Sequence, residues 1–261
     1  LSLADINPLY SVAGLFVGIL VGLTGVGGGS LMTPLLVLAF GFHPTTAVGT
    51  DLLYASATKS VGTAVHGFNR TVDWRVVGRL ATGSVPATIL TLLALAYAGR
   101  KFDGTEHVIS TVLGATLIAT AIAMFLRKRI HAYFTSRPST FAPGNVLWLT
   151  ILLGAVLGVL VSLSSVGAGA LGMTALLILY PHLATNRLVG SDIAHAVPLT
   201  LIAGMGHWAM GSVDLGLLLS LLVGSVPGII IGSVLSARAP DHVLRAILAG
   251  TLAVVGGKLL F

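Results

Sequence analysis

The sequence predicts an all-α integral membrane protein made of two related halves. Three observations carry this: an apolar composition with few charges, a succession of long apolar runs, and a set of polar, glycine and proline positions that recurs at a nearly constant offset. Of 261 residues, 55% are hydrophobic and 8% charged, against roughly 25% charged in an average soluble domain. So few ionised groups do not cover a soluble chain of this size. Residues 9–40, 46–66, 76–98, 105–126, 146–180, 188–211, 215–236 and 243–261 are predominantly apolar. A helix needs about 20 such residues to cross the hydrocarbon layer. The runs 9–40 and 146–180 are longer than that.

The net charge of +6 does not point to nucleic acid, because the basic residues sit in short segments at helix ends, as membrane orientation requires. With no cysteine there is neither a disulfide nor a thiolate metal site. No cleavable signal peptide with a basic front region is read, and the first apolar run is expected to insert the protein by itself.

The internal likeness is the most informative pattern. Gly18 matches Gly158, Leu23 matches Leu163, Val26 and Gly27 match Val166 and Gly167, and Gly29 matches Gly169, at an offset of 140. Gly49, Thr50 and Asp51 then match Gly190, Ser191 and Asp192, His66 matches His207, and Val72 and Asp73 match Val213 and Asp214, at 141. The run Gly83, Ser84, Val85, Pro86 matches Gly224, Ser225, Val226, Pro227 at the same offset. The halves are expected at 1–130 and 145–261, joined by a cytoplasmic linker at 131–144. That linker is the end of a polar, basic stretch, Arg127–Gly144, with prolines at 138 and 143.

Each long run is interrupted by a small-residue turn, at Gly25–Ser30 and at Ser164–Gly169. Glycine breaks helices and favours turns. Each half thus has a glycine-broken helix, re-entrant or discontinuous, plus three transmembrane helices. Charge favours re-entrant hairpins and inverted halves. Arg70, Arg75, Arg79, Arg127, Lys128, Arg129, Arg137, Arg187, Arg238 and Arg245 then share one side, with Arg100, Lys101 and Lys258 opposite. Inverted repeats with broken helices at mid-membrane recur in secondary transporters.

Irregular backbone at membrane depth is tolerated where it is buried in protein or lines a wet cavity. A turn into a half-helix offers N–H groups at the positive dipole end, which suits an anion. Candidate anion-binding groups are Gly27, Gly28, Gly29, Gly167 and Gly169, with the hydroxyls of Thr24, Ser30, Ser164 and Ser165. Close helix packing would explain a single glycine equally well. A cluster beside hydroxyls in both halves favours a site. A nucleotide-phosphate loop is disfavoured, because no Gly-Lys-Ser/Thr follows.

A polar stripe lies on the next helix. At about 100° per residue, Asp51, Thr58, Lys59, Gly62 and His66 fall within roughly a 100° arc, and Asp192, His195, Thr200 and His207 repeat it. Ionisable groups inside a bilayer are costly and usually face a bundle interior or cavity. Asp51 and Asp192 sit near the expected helix start, where capping competes with a functional role. Lys59 is mid-helix and reads as a cavity-facing anion ligand, against a purely structural partnership or snorkelling. Thr200 matches Lys59, so the halves are chemically unequal. His66 and His207 are candidates for proton relay with Asp51 and Asp192, although a hydrogen-bonded interface role is equally open. No metal spacing such as H-E-x-x-H is present, and no cofactor is expected. Ser84 and Ser225 precede prolines that bend their helices and would face the resulting polar notch.

The turn from Gly22 to Gly29 followed by Leu35–Leu38, the Gly49, Thr50, Asp51 start with Lys59, the His66, Gly67, Val72, Asp73, Trp74 exit and the Gly-Ser-Val-Pro run together resemble the TauE/SafE sulfite exporter family. The resemblance spans nearly the whole chain and is looser in the second half, where Ser164 and Ser165 replace threonine and glycine. It implies a multi-pass protein of the bacterial inner membrane that moves sulfite, sulfoacetate or a related sulfonate. A secondary transporter is expected, exporting its anion with proton coupling. An anion channel, an uptake permease, a non-transporting membrane subunit and an intramembrane hydrolase are the alternatives. Expected partners are the anion and the bilayer, not nucleic acid. Glycines such as Gly250, Gly256 and Gly257 offer packing within one chain or in a homo-oligomer.

Overall fold

The computed structural model describes residues 6–24, 29–68, 70–101, 105–135, 142–235 and positions 250, 253, 254 and 256–258. For some of these, Thr24, Gly29 and Ser30 among them, only the backbone is described. Every regular element is an α-helix: α1 (Pro8–Thr24), α2 (Gly29–Leu38), α3 (Pro44–Phe68), α4 (Trp74–Lys101), α5 (Thr105–Thr135), α6 (Pro143–Ser164), α7 (Ala170–Leu179), α8 (Thr185–Ala209) and α9 (Leu215–Leu235). Within these, Trp74–Ala98, His107–Leu126, Gly144–Ser164 and Thr185–Ala209 are long and apolar enough to cross a membrane. Phe16, Phe125, Trp148 and Leu152 are among many large apolar side chains left exposed, as suits a lipid-facing surface. The helix α5 continues to Thr135, so the expected linker begins as helix.

The second long run is interrupted at Ser165–Gly169, and in the first run α1 is described to Thr24 and α2 from Gly29. At 10 residues each, α2 and α7 are about 15 Å long, half the hydrocarbon thickness. Their direction follows from neighbours. In α1 and α9, Gly14 abuts Leu221 and Gly18 abuts Ser225, so the two run parallel. The backbone of Asp214 donates to Thr50 and Tyr54 faces Ser225, so α9 also runs parallel to α3. Hence α1 and α3 point the same way, and α2 between them returns to the side where α1 began. On the other side of the bundle, Gly154 abuts Leu80 and Gly158 abuts Ser84, which makes α6 parallel to α4. Asp73 meets Ser191, Ser84 meets His195 and Leu92 meets Gly206, which makes α4 parallel to α8. So α6 and α8 share a direction and α7 returns. Between the two sets, α3 and α8 cross antiparallel: Gly49 lies against His207, Leu53 against Gly204, Ile193 against Gly62 and His66 against Gly190.

Small residues make these contacts possible. A Cβ added at Gly83 would overlap the Ile151 carbonyl, one at Gly154 that of Leu80, and one at Gly224 that of Ser11. Such close approach is how helices associate in lipid, where apolar burial between helices gives little driving force. Gly256 packs against the backbone of Gly114 in α5, within the chain.

The loops entering α4 and α9 are held by the motifs that sequence comparison brings out. Gly190 leaves room for the Thr71 carbonyl, and Ser191 Oγ accepts from the Asp73 N–H at 2.8 Å. Gly49 likewise leaves room for the Ser212 carbonyl, and Thr50 Oγ1 accepts from the Asp214 N–H at 3.1 Å. Asp73 Oδ1 then caps α4 by accepting from Val76 N, and Asp214 Oδ1 caps α9 by accepting from Leu217 N. Arg187 reaches Asp73 Oδ2 at 3.2 Å, which sets the start of α8 at the same end of the bundle as the start of α4.

Candidate substrate site

The helices α3 and α8 begin at Pro44 and Thr185, earlier than their glycines suggest. Asp51 and Asp192 therefore stand two turns inside, too deep to cap. Each faces the short helix before its own. Thr33 of α2 donates its hydroxyl to Asp51 Oδ2. Asp192 Oδ1 lies against Gly172 in the first turn of α7, where a Cβ would come within 2.6 Å of it.

Lys59 lies in the middle part of α3 and is 6% exposed. Its Nζ donates to the carbonyl of Ala168 at 3.3 Å. That carbonyl belongs to the turn between α6 and α7, which Ser165 (φ 59°), Gly167 (φ 122°) and Gly169 (φ 154°) hold in left-handed and neighbouring conformations. Glycine reaches these without steric cost; serine does so rarely. The Ser165 hydroxyl sits beside Asp51 without a well-formed hydrogen bond. The turn thus meets Lys59 and, through Ser165, Asp51, while Asp192 lies against the first turn of α7 just beyond it. Asp51 lies about two turns before Lys59 on α3, and Asp192 on the facing stretch of α8.

Lys59, Asp51 and Asp192 are three buried ionisable groups in one part of the bundle. Burying an unpaired charge costs several kcal/mol, which a partner of opposite sign offsets.

Around the charges lies a ring of neutral groups. Ser84 Oγ is 2.8 Å from His195 Nε2, and the Tyr54 hydroxyl faces Ser225. All four side chains are buried. Tyr54 and Thr33 were not legible as site residues. Tyr54 occupies the position matching His195, but a search for identical residues passes over a phenol matched to an imidazole.

Other expected residues take different places. Ser164 Oγ donates to Leu160 O at 2.7 Å and accepts from Val166 N at 3.2 Å, so it closes the end of α6. Thr58 and Thr200 bond carbonyls of their own helices. His66 Nδ1 is 2.8 Å from Thr71 Oγ1 at the far end of α3. His207 Nε2 is 2.9 Å from the Ser162 carbonyl. Neither histidine joins Lys59. Gly27 and Gly28 lie outside the described residues, and Thr24, Gly29 and Ser30 have only their backbone described, within α1 and α2. Among the described residues, no group of three or more His, Cys, Asp or Glu side chains is placed to hold a metal ion.

Comparison with known proteins shows the family. Residues 10–259 match the family described as "Sulfite exporter TauE/SafE". The chain belongs to the TauE/SafE family. Among its relatives is the "Probable membrane transporter protein YjnA" of Bacillus subtilis, 41% identical over 95% of this chain and 97% of the relative. The "Probable membrane transporter protein YdhB" of the same organism is 28% identical over 94% and 96%. One from Methanocaldococcus jannaschii, "Probable membrane transporter protein MJ0441", is 26% identical over 95% and 93%. No solved structure matches the chain significantly. This TauE/SafE member is thus a multi-pass membrane protein of a transporter family, not of an enzyme family.

Proposed function

We propose that the protein is a secondary transporter that exports a small sulfur-containing anion, such as sulfite, sulfoacetate or a related sulfonate, across the cytoplasmic membrane with proton coupling. The observation that carries this is Lys59: a buried ammonium that meets the irregular turn of the opposite half and is balanced by Asp51 and Asp192. Lys59 supplies the countercharge. The N–H groups of the turn at Gly167 and Gly169, with Ser165, Ser84 and Ser225, are the polar lining. Asp51 and Asp192 carry the coupled proton, His66 and His207 being further candidates at the helix ends. The hydroxyls and glycines of the first turn, Thr24, Gly27, Gly28, Gly29 and Ser30, complete the site from the other half.

We further infer two inverted repeats, at 1–130 and 145–261. Matched contacts support this. Gly14 on Leu221 has its counterpart in Gly154 on Leu80, Gly18 on Ser225 in Gly158 on Ser84, and Gly49 at Ser212 in Gly190 at Thr71. The helices α1 and α3 run opposite to their counterparts α6 and α8. Interlocked halves of this kind suit alternating access by rocking one unit against the other.

The test is flux in liposomes containing only this protein, loaded in parallel with sulfite, sulfoacetate and sulfate, with and without a pH gradient. Selective, gradient-driven movement of a sulfur anion is the expected result. Movement indifferent to the gradient would favour a channel, and no movement of any of the three would overturn the substrate class.

A further inference from the structure

The halves differ chemically at two buried positions on matched helices. Lys59 in α3 stands where α8 has Thr200, and His195 in α8 stands where α3 has Tyr54. The antiparallel crossing of α3 and α8, with Gly62 against Ile193, places these two departures on facing stretches of the two helices. We propose that His195 is a second ligand of the transported anion, donating a hydrogen bond from Nδ1 to the anion that Lys59 attracts, with Ser84 as the positioning residue. This rests on the anion-transport reading above.

His195 is fully buried. One ring nitrogen is accounted for, since Nε2 lies 2.8 Å from Ser84 Oγ. The other, Nδ1, is buried with no hydrogen-bond partner. A ring that served packing alone would be expected to satisfy both nitrogens or to be replaced by an apolar side chain, because an unpaired buried polar atom forfeits its hydration. When the Ser84 hydroxyl donates to Nε2, the ring hydrogen resides on Nδ1, which becomes a donor. Ser84 is itself fixed in place: Gly158 of α6 presses on its carbonyl from the opposite half. Ser84 of α4 bonds the ring, Asp192 stands one turn earlier on α8, and Lys59 lies on the facing stretch of α3, while α6 and α7 carry no titratable side chain. An oxyanion beside Lys59 accepts from the imidazole as well as from the ammonium. Two donors at fixed spacing discriminate a compact oxyanion from a spherical halide, which a lone ammonium does not.

Two isosteric substitutions separate ligand from scaffold. An asparagine amide nitrogen reproduces Nδ1, and a glutamine amide nitrogen reproduces Nε2. Initial rates of labelled sulfite and sulfoacetate flux would be measured in liposomes for wild type, His195→Asn, His195→Gln and Ser84→Ala, with protein yield and gel-filtration profile as folding controls. His195→Gln is expected to raise KM about tenfold, the loss of one hydrogen bond to a charged acceptor, with maximal rate little changed and weaker discrimination against chloride. His195→Asn is expected to raise KM less, and Ser84→Ala to fall between wild type and His195→Gln. A wild-type KM in His195→Gln, or a larger KM for Asn than for Gln, overturns the assignment. If the Asn variant does not fold, the Gln variant decides alone. Absence of flux in the wild type would overturn the transport reading itself, which distinguishes the two failures.

Discussion

Lys59 Nζ and the carbonyl oxygen of Ala168 lie 3.3 Å apart, joining the middle of α3 to the turn that ends α6. A cation of the first half is thereby fastened to irregular backbone of the second. Under the proposed rocking of the two halves, this contact would be the one displaced.

Removing the Lys59 charge is expected to abolish transport. Lys59→Ala and Lys59→Met should lower sulfur-anion flux by more than about tenfold at unchanged membrane yield. Lys59→Arg should retain part of it, because the charge persists while the donor geometry changes. Flux of Lys59→Ala at the wild-type level would refute the countercharge.

The carboxylates are expected to govern coupling. Asp51→Asn and Asp192→Asn hold each site neutral, so the variants should still exchange labelled for unlabelled anion across liposomes. They should no longer concentrate the anion against its gradient when only a pH difference is applied. Retained pH-driven accumulation in both variants would show that the proton travels elsewhere.

Gly83 and Gly78 lie on the same helix and provide a matched pair. A Cβ at Gly83 meets the Ile151 carbonyl, whereas one at Gly78 meets nothing within 4 Å. Gly83→Ala should therefore lower the melting temperature in detergent by roughly 3–10 °C, as overpacking of 1–3 kcal/mol does. Gly78→Ala should leave it unchanged or slightly raised, since alanine is the better helix former.

Asp73 has two tasks that mutation can separate. Its Oδ1 caps α4 through Val76 N, and its Oδ2 meets Arg187. The Arg187 side chain is 46% exposed, so loss of the ion pair should matter little. Asp73→Ala is expected to destabilise by about 1 kcal/mol through the lost cap. Arg187→Ala should be near neutral in the same detergent melt.

At Gly167 the nearest atoms to an added Cβ are 3.8 Å away, so space is available, but its φ is 122°. Gly167→Ala should therefore reveal backbone strain alone. Insertion should be retained, with transport reduced as the turn beneath Lys59 shifts. Wild-type transport kinetics would show that the turn geometry is not part of the site.

Much of this protein is written locally. Apolar run lengths mark the helices, and the turn between α6 and α7 carries Gly167 and Gly169 because glycine takes their positive φ angles without steric cost. The recurring Gly-Thr/Ser-Asp and Val-Asp motifs are legible for the same reason, since each acts through its own loop and cap. Lys59, Asp51 and Asp192 stand out as charges in apolar helices, which lipid does not tolerate without a partner.

Which partner each charge finds was decided only by the tertiary structure. The sequence by itself determined the helices, the two turns and the charged stripe. The antiparallel crossing of α3 and α8 decided that Lys59 meets the turn between α6 and α7 and that His195 lies on the facing stretch of α8. It also left His66 and His207 at separate ends of the bundle, away from Lys59. The same packing turned Tyr54 toward Ser225. The reason is physical: a helix pattern records which face is polar, but contacts between residues more than a hundred positions apart depend on the direction and depth at which whole helices pack.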